Sequence, residues 1–372
     1  MALTYTPLLS AHEKLGARLS AFGGWLMPIQ YEGIISEHHW TRQQASVFDI
    51  CHMGEFFVFG DPDKTNLNRV VTMDLEGMPC GKCSYGFMLN EAGGIIDDLL
   101  VYKITPEKWM LVVNAATTDI DEQNLKKHLS KGTRLENTSS ALGKLDLQGP
   151  ASCEAIQRLF GFQAQGLRYY HFKEVIFLGE RVIVSRSGYT GELGYELYVP
   201  ASKITEFWSH ILTDASVKPA GLGARDTLRL EMGYPLYGQD INRDTTPLEA
   251  GLDKFIDFNK DFIGKGALLT QQREKTKKLL VCFISDSRRA PRHNYKIYSG
   301  EREVGIVTSG SFSPSLSRGI GMGYVALDCA TIGTKLVLKD NTIEISATVT
   351  DKPFYHRGTA RQNPVTGTVP VI

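Results

Sequence analysis

Two adjacent carboxylates stand in the segment NEAGGIIDDLLVYKI, residues 90–104, where Asp97 and Asp98 are flanked by Ile95, Ile96, Leu99, Leu100 and Val101. Successive strand residues face opposite sides, so the two acids cannot both reach water if either face of the strand is covered. At least one carboxylate then enters a protected pocket and needs a hydrogen-bonding partner or a ligand. A strand end with both acids solvated, or bonded to turn amides, satisfies the same spacing. Pattern alone does not choose between these readings.

A second segment, SRSGYTGELGYELYVP at residues 185–200, interleaves glycines with Tyr189, Tyr195, Glu192 and Glu196. It reads as a loop that brings aromatic faces and carboxylates close to a ligand. Glu196 belongs to an alternating strand, whereas Glu192 falls in the turn and is expected in solvent; Tyr189 also fits a packed turn aromatic. A third segment, AGLGARDTLRLEMGYPLYGQDI at residues 220–241, places Arg225 and Arg229 four apart on one helical face. Arg225 lies in the first turn beside a glycine loop, a location suited to bidentate recognition of a carboxylate-bearing ligand. An ion pair with Asp226, Glu231 or Asp240 is the alternative, favoured on spacing alone.

Other side chains carry less. His38 and His39 beside Trp40, and His52 in FDICHMG, have no partner spacing that demands catalysis. Cys80 and Cys83 form a Cys-x-x-Cys, but no second pair or histidines follow at zinc-site spacing, so two thiols near a turn is the preferred reading and no metal is expected. No Walker A sequence, no strand-to-helix Gly-x-Gly-x-x-Gly, no zincin pair and no Gly-x-Ser-x-Gly elbow occurs. GIGMGY at 319–324 sits in a β-rich region, where its glycines are expected to serve turns.

These residues need a scaffold of some size. A chain of 372 residues predicts two or three domains at roughly 100 to 200 residues each. Lys plus Arg number 41 and so do Asp plus Glu, so no overall field gathers nucleic acid or an anionic membrane. The N-terminus MALTYTPLLSAHEKLGARLS has no apolar run of secretory type, and no stretch reaches the roughly 18 apolar residues of a membrane span. Sparse, unevenly spaced cysteines fit reduced thiols, and the expected location is the cytoplasm.

Periodicity predicts helices over 7–20, 36–46, 119–129 (with Thr117 or Thr118 as cap), 151–161 after Pro150, 202–212 and 222–233. Strands are predicted over 55–59, 95–104, 109–113, 193–199 and as a pair within 174–185 turning at Gly179 and Glu180. After the basic run QQREKTKK the pattern changes to short strands, KLLVCFIS, REVGIVTSG, GMGYVAL, TKLVL and TIEISATV, an all-β domain of sandwich or barrel type. The segment HRGTARQNPVTGTVPVI reads as an extended tail. Strands and helices mix without regular βαβ units, so the first 277 residues are expected to be α+β with antiparallel sheets.

Taken together the motifs resemble the glycine-cleavage T-protein family of tetrahydrofolate-dependent aminomethyltransferases. The resemblance runs through TPLLSAHEKLGARLSAFGGWLMPIQY, FDICHMG, NEAGGIIDDLLVY, VVNA, LQGP, GYTGELGYE, GLGARDTLRLEMGYPLYGQD, TTPLEAGL, DFIGK, VTSGSFSPSL and GMGYV. Cys51 departs from the family's usual serine, and the C-terminal tail follows no family pattern.

The resemblance implies a three-domain cloverleaf around a central folate channel: 1–53 plus 143–243, 54–142 plus 244–277, and 278–372. It implies that an aminomethyl group on the lipoyl arm of H-protein passes to tetrahydrofolate, with the P- and L-proteins as looser partners. By motif position Asp98 is the catalytic carboxylate, and Glu196, Arg225, Tyr189, Asn114, Val112, Tyr85 and Tyr237 are folate-binding. Related demethylases share the fold, but the unbroken GGIIDDL favours aminomethyl transfer. The folate-binding iron-sulfur assembly proteins carry a Lys-Gly-Cys motif, where this chain has GKGALLTQQ. Sarcosine-type oxidases place the module behind a flavin domain; here the chain starts with the module, so flavin is not expected, and without a phosphate-binding glycine loop neither is a nucleotide.

Overall fold

The computed structural model describes residues 3–362. Three sheet bodies organise it. A six-stranded sheet has the order Phe172–Phe177, Glu180–Ser185, Gly194–Pro200, Leu142–Gln148, Ala45–Asp49 and Val217–Pro219. A five-stranded sheet runs Cys83–Leu89, Ile95–Thr105, Lys108–Val113, Gly54–Phe59 and Arg134–Asn137. The third body is a closed barrel of Lys278–Ser285, Arg318–Ala326, Arg302–Ser313, Lys296–Ser299, Lys335–Lys339 and Glu344–Thr350. A small sheet of Thr4–Tyr5, Trp25–Gln30 and Arg18–Phe22 sits at the N-terminal end.

The architecture is α+β with largely antiparallel sheets, as the irregular mixing of elements predicts. Two short pairs are parallel: Val217–Pro219 beside Ala45–Asp49, and Thr4–Tyr5 beside Trp25–Gln30. Each body has its own apolar core. Val47, Leu145, Leu197 and Trp208 centre one; Phe56, Leu99, Val101 and Trp109 another; Phe283, Ile297, Val307 and Leu338 fill the barrel. Closing the barrel removes the edge strands that an open six-stranded sheet would expose.

Several expected elements change. The predicted helix over 7–20 is a short helix, Leu9–Lys14, followed by the strand Arg18–Phe22. A Schellman closure ends it, with Ala17 N–H donating to His12 O and Gly16 N–H to Glu13 O. The helix expected over 36–46 is Ile34–Gln43, and Ala45–Asp49 is a fully buried strand. The helices at Thr118–His128, Ser152–Phe160, Ile204–Ile211 and Leu222–Glu231 lie where the periodicity puts them. Neither Thr117 nor Thr118 caps its helix through the side chain; both hydroxyls donate to Asn114 O.

The glycines of 319–324 lie inside the strand Arg318–Ala326 rather than in turns. A Cβ on Gly323 would come within 2.5 Å of Ile306 O and one on Gly321 within 2.6 Å of Phe283, so these positions admit close chain approach. The segment expected as an extended tail is tied to residues 186–193 over its described part: Ala360 N–H donates to Gly191 O, and Arg186 donates to Ala360 O. The remainder of the tail, 363–372, lies outside the described residues. Among the described residues no helix is long and apolar enough to cross a membrane.

Candidate active site

The edges of the five- and six-stranded sheets are stitched together, and the candidate residues lie along that seam. Lys82 pairs with His171 in an isolated antiparallel bridge, and Cys83 N–H donates to Tyr170 O. Behind them Tyr102 and Tyr198 meet hydroxyl to hydroxyl at 2.9 Å among Met110, Val112, Phe172 and Ile183.

On the five-stranded side, Asp98 lies opposite Phe87, and Leu100 lies opposite both Tyr85 and Val112. Directly opposed residues share a face, so Asp98, Tyr85, Leu100 and Val112 look the same way. Asp97 faces the other side. A bulge between Met88 and Leu89 adds one residue to the partner strand just before it. Asp97 is fully buried, whereas Asp98 is half-buried.

Both acids meet Asn114, one residue beyond the end of Lys108–Val113. Its Nδ2 donates to Asp97 Oδ1 at 2.8 Å and to Asp98 Oδ1 at 2.9 Å, and its backbone N–H donates to Asp97 Oδ2 at 3.0 Å. Tyr85 Oη donates to the second Asp98 oxygen at 2.9 Å. Burial, and then the Asp98 charge, keep the Tyr85 phenol well above its ordinary pKa, so it remains a donor. Burial holds both carboxyls above the usual carboxylate range; for Asp97 the neighbouring Asp98 charge adds to it. Tyr237 Oη donates to Ile95 O at 3.2 Å, and like Tyr85 and Phe255 it packs against the core cluster of Phe87, Leu89, Ile95 and Ile241.

On the six-stranded side, Glu196 lies opposite Asp146 and Ser185, and Lys144 lies opposite Tyr198. Glu196 is buried; Lys144 Nζ stands 3.1 Å from one of its oxygens, and Ser187 Oγ donates to the other. Burial alone would raise this carboxyl, but Lys144 and the Ser187 hydroxyl bring it below its ordinary value, so it is an anion. Arg225 donates to Asp146, and its guanidinium lies 5.2 Å from the Tyr189 ring centroid. Tyr189 stacks on Tyr234 and donates to Pro235 O. Burial keeps its phenol well above its ordinary pKa, so it remains a donor.

The structure thus brings Asp98, Tyr85, Asn114 and Val112 together on one wall, with Tyr237 joined to that strand through Ile95 O, and sets Arg225 between Tyr189 and Asp146, the strand neighbour of Glu196. Arg225 pairs with none of Asp226, Glu231 or Asp240. Arg229 takes Asp226 and Asp240, and Glu231 binds Arg42. Glu192 is not solvated: it is buried against Arg42 at 2.7 Å and accepts from Thr359. His38 is equally internal, within reach of Thr227, Ser315 and Glu231.

Sequence reasoning missed Lys144, Asp146 and Gln148. They alternate with Leu145 and Leu147, a signal that ordinarily reads as a solvated face, but all three are buried here. It also missed Glu55 and set His52 aside for want of a partner; Glu55 Oε1 and His52 Nδ1 are buried without a partner among the described residues. Burial lowers the His52 imidazole to about 4 and raises the Glu55 carboxyl to about 8, so both are neutral at pH 7. Among the described residues no three His, Cys, Asp or Glu side chains converge as a metal site.

Two family models match: the GCVT N-terminal domain over residues 8–260 and the glycine cleavage T-protein C-terminal barrel domain over 278–356. An aminomethyltransferase of Halothermothrix orenii is 44% identical over 353 residues, 94% of this chain and 99% of that protein. One of Thermotoga neapolitana is 42% identical over 361 residues, covering 96% and 99%. The crystal structure of glycine cleavage system aminomethyltransferase T from Bartonella henselae superposes with a TM-score of 0.90 at 32% identity, over 95% of this chain and 98% of that one. The chain belongs to the glycine-cleavage T-protein family of aminomethyltransferases.

Proposed function

We propose that this aminomethyltransferase takes the aminomethyl group from the lipoyl arm of H-protein and delivers its carbon to tetrahydrofolate. The carbon–sulfur and carbon–nitrogen bonds of the donor break, and bonds form to the two folate amine nitrogens. The products are methylene-tetrahydrofolate, ammonia and the dihydrolipoyl arm; of the two protons displaced from the folate nitrogens, one goes to the sulfur as thiol and one to the departing nitrogen as ammonia. Tetrahydrofolate supplies the two nucleophilic nitrogens. The P- and L-proteins act in the same system as looser partners.

The observation that carries this reading is the Asp98 carboxylate, half-buried, held at one oxygen by Tyr85 and at the other by Asn114. A fixed negative charge in a site of low dielectric favours a reacting centre that becomes cationic, and it accepts or directs a proton at its free lone pairs. Tyr85, Tyr189 and Tyr237, each half-buried, offer aromatic surface to a pterin, with Val112 buried in the apolar packing behind them. Glu196 offers an anionic acceptor for its polar edge, and Arg225 a cation for the acidic tail. The three separate cores support the division into 1–53 plus 143–243, 54–142 plus 244–277, and 278–372.

Calorimetric titration with tetrahydrofolate, NAD and FAD tests the assignment. Binding of tetrahydrofolate alone is expected; tight NAD or FAD binding with no response to tetrahydrofolate would overturn it.

A further inference from the structure

Behind the Asp98 wall lies a third carboxyl that the proposed reaction does not use. Asp121, in the first turn of the helix Thr118–His128, is fully buried, and no donor among the described residues reaches either of its oxygens. Its neighbour is the Asp97 carboxyl, with which it interacts both through charge and side chain to side chain. The hydroxyl of Thr117 also faces it, but that group's single proton goes to Asn114 O at 3.0 Å. Tyr237, the other titratable group close by, donates to Ile95 O.

Two carboxyls in contact need one proton between them, because two bare acceptors repel. The donors decide where that proton resides. Asp97 receives two N–H groups from Asn114, which stabilise its anion. Asp121 receives none. We propose that Asp121 is a standing carboxylic acid that donates its proton in a hydrogen bond to Asp97, and that it acts as a positioning residue for Asp98 through Asp97 and Asn114.

Burial, followed by the Asp97 charge, pushes the Asp121 carboxyl far above the carboxylate range, in the direction this geometry requires. Held by Asp121, Asp97 stays an acceptor for the Asn114 amide. That amide has two protons, and the second is then left to Asp98, whose Oδ1 at 2.9 Å and backbone O at 3.1 Å both accept from Nδ2. Without the Asp121 proton, Asp97 would draw more of the Asn114 amide away from Asp98, which would be left with Tyr85 as its other side-chain donor.

The functional part of this inference rests on Asp98 being the reacting carboxylate; the protonation state does not. Infrared difference spectra of wild type against Asp121→Asn at neutral pH test that state directly. The Glu55 acid is common to both proteins and cancels, so the difference spectrum is expected to show one carboxylic-acid carbonyl band lost with Asp121, and a difference spectrum without that band would overturn the proposal. An asparagine amide still donates to Asp97, so Asp121→Asn should keep the transfer rate within about threefold. Asp121→Leu, which cannot donate, should lose about tenfold or more in kcat with little change in the KM for tetrahydrofolate. Equal losses from Asn and Leu would contradict the donor role, whether or not Asp98→Asn proves inactive. Should the leucine variant not fold, the infrared band and the asparagine rate decide alone.

Discussion

Asp97 and Asp98 are neighbours in one strand and point to opposite faces of its sheet, yet both accept from the same side-chain amide, that of Asn114. Asn114 manages this because it lies one residue past the end of its own strand, where the ladder no longer holds it to one face.

Asn114→Ala should therefore disturb both carboxylates at once. The amide donation favours ionised Asp98, so its loss raises that pKa further. The acid limb of the transfer rate should move to higher pH, with a loss of about tenfold or more near neutrality. An unchanged pH profile would mean that ionised Asp98 does not limit the rate.

Arg225→Ala leaves the buried Asp146 carboxylate without its guanidinium. Folate affinity should fall about ten- to a hundredfold, the worth of one charge-assisted contact. Melting temperature should fall as well. Asp146→Asn added to that variant should restore stability but not affinity, because it removes the stranded charge while returning no cation. If folate affinity stays intact and only melting falls, Arg225 serves the fold alone.

Glu55 gives a stability prediction with a definite sign. Burial raises its carboxyl to about 8, against Lys144, which opposes the shift. Between the unfolded value of about 4.3 and that pH, the folded protein holds a proton that the unfolded chain has released. Its contribution to stability therefore falls as pH rises through this window. Glu55→Gln should melt above wild type at about pH 8, with the gap closing toward about pH 5. A variant that melts lower at every pH would show an ionised Glu55 paired with Lys144.

Much of this was legible in the sequence, for physical reasons that differ by element. The 95–104 run and its neighbours read as strands because apolar, β-branched residues dominate them, and the opposite facing of Asp97 and Asp98 follows from strand period alone. The helix over 151–161 was bounded by Pro150 and Gly161, both strong punctuators. Polar alternation at Lys144, Asp146 and Gln148 could not be read as buried, since a sheet seam covers that face through contacts distant in sequence. For the same reason Arg225 found Asp146 rather than an acid on its own helix, and Glu192 found Arg42. The sixth barrel strand, Lys296–Ser299, contributes only Ile297 fully to the core, too little for a periodic signal. Tyr85, Asn114, Val112 and Tyr237 were named through family resemblance, not through their own spacing.

The central claim is that Asp98, not Asp97, carries the transfer. Asp98→Asn keeps size and most hydrogen bonds while deleting the charge. Methylene-tetrahydrofolate formation from aminomethylated H-protein, measured for Asp98→Asn and Asp97→Asn with thermal melts alongside, tests it directly. The account predicts a loss of about a hundredfold or more for Asp98→Asn with folding nearly intact, and a much smaller loss for Asp97→Asn. Equal, mild effects from both substitutions, or a larger loss from Asp97→Asn, would contradict it.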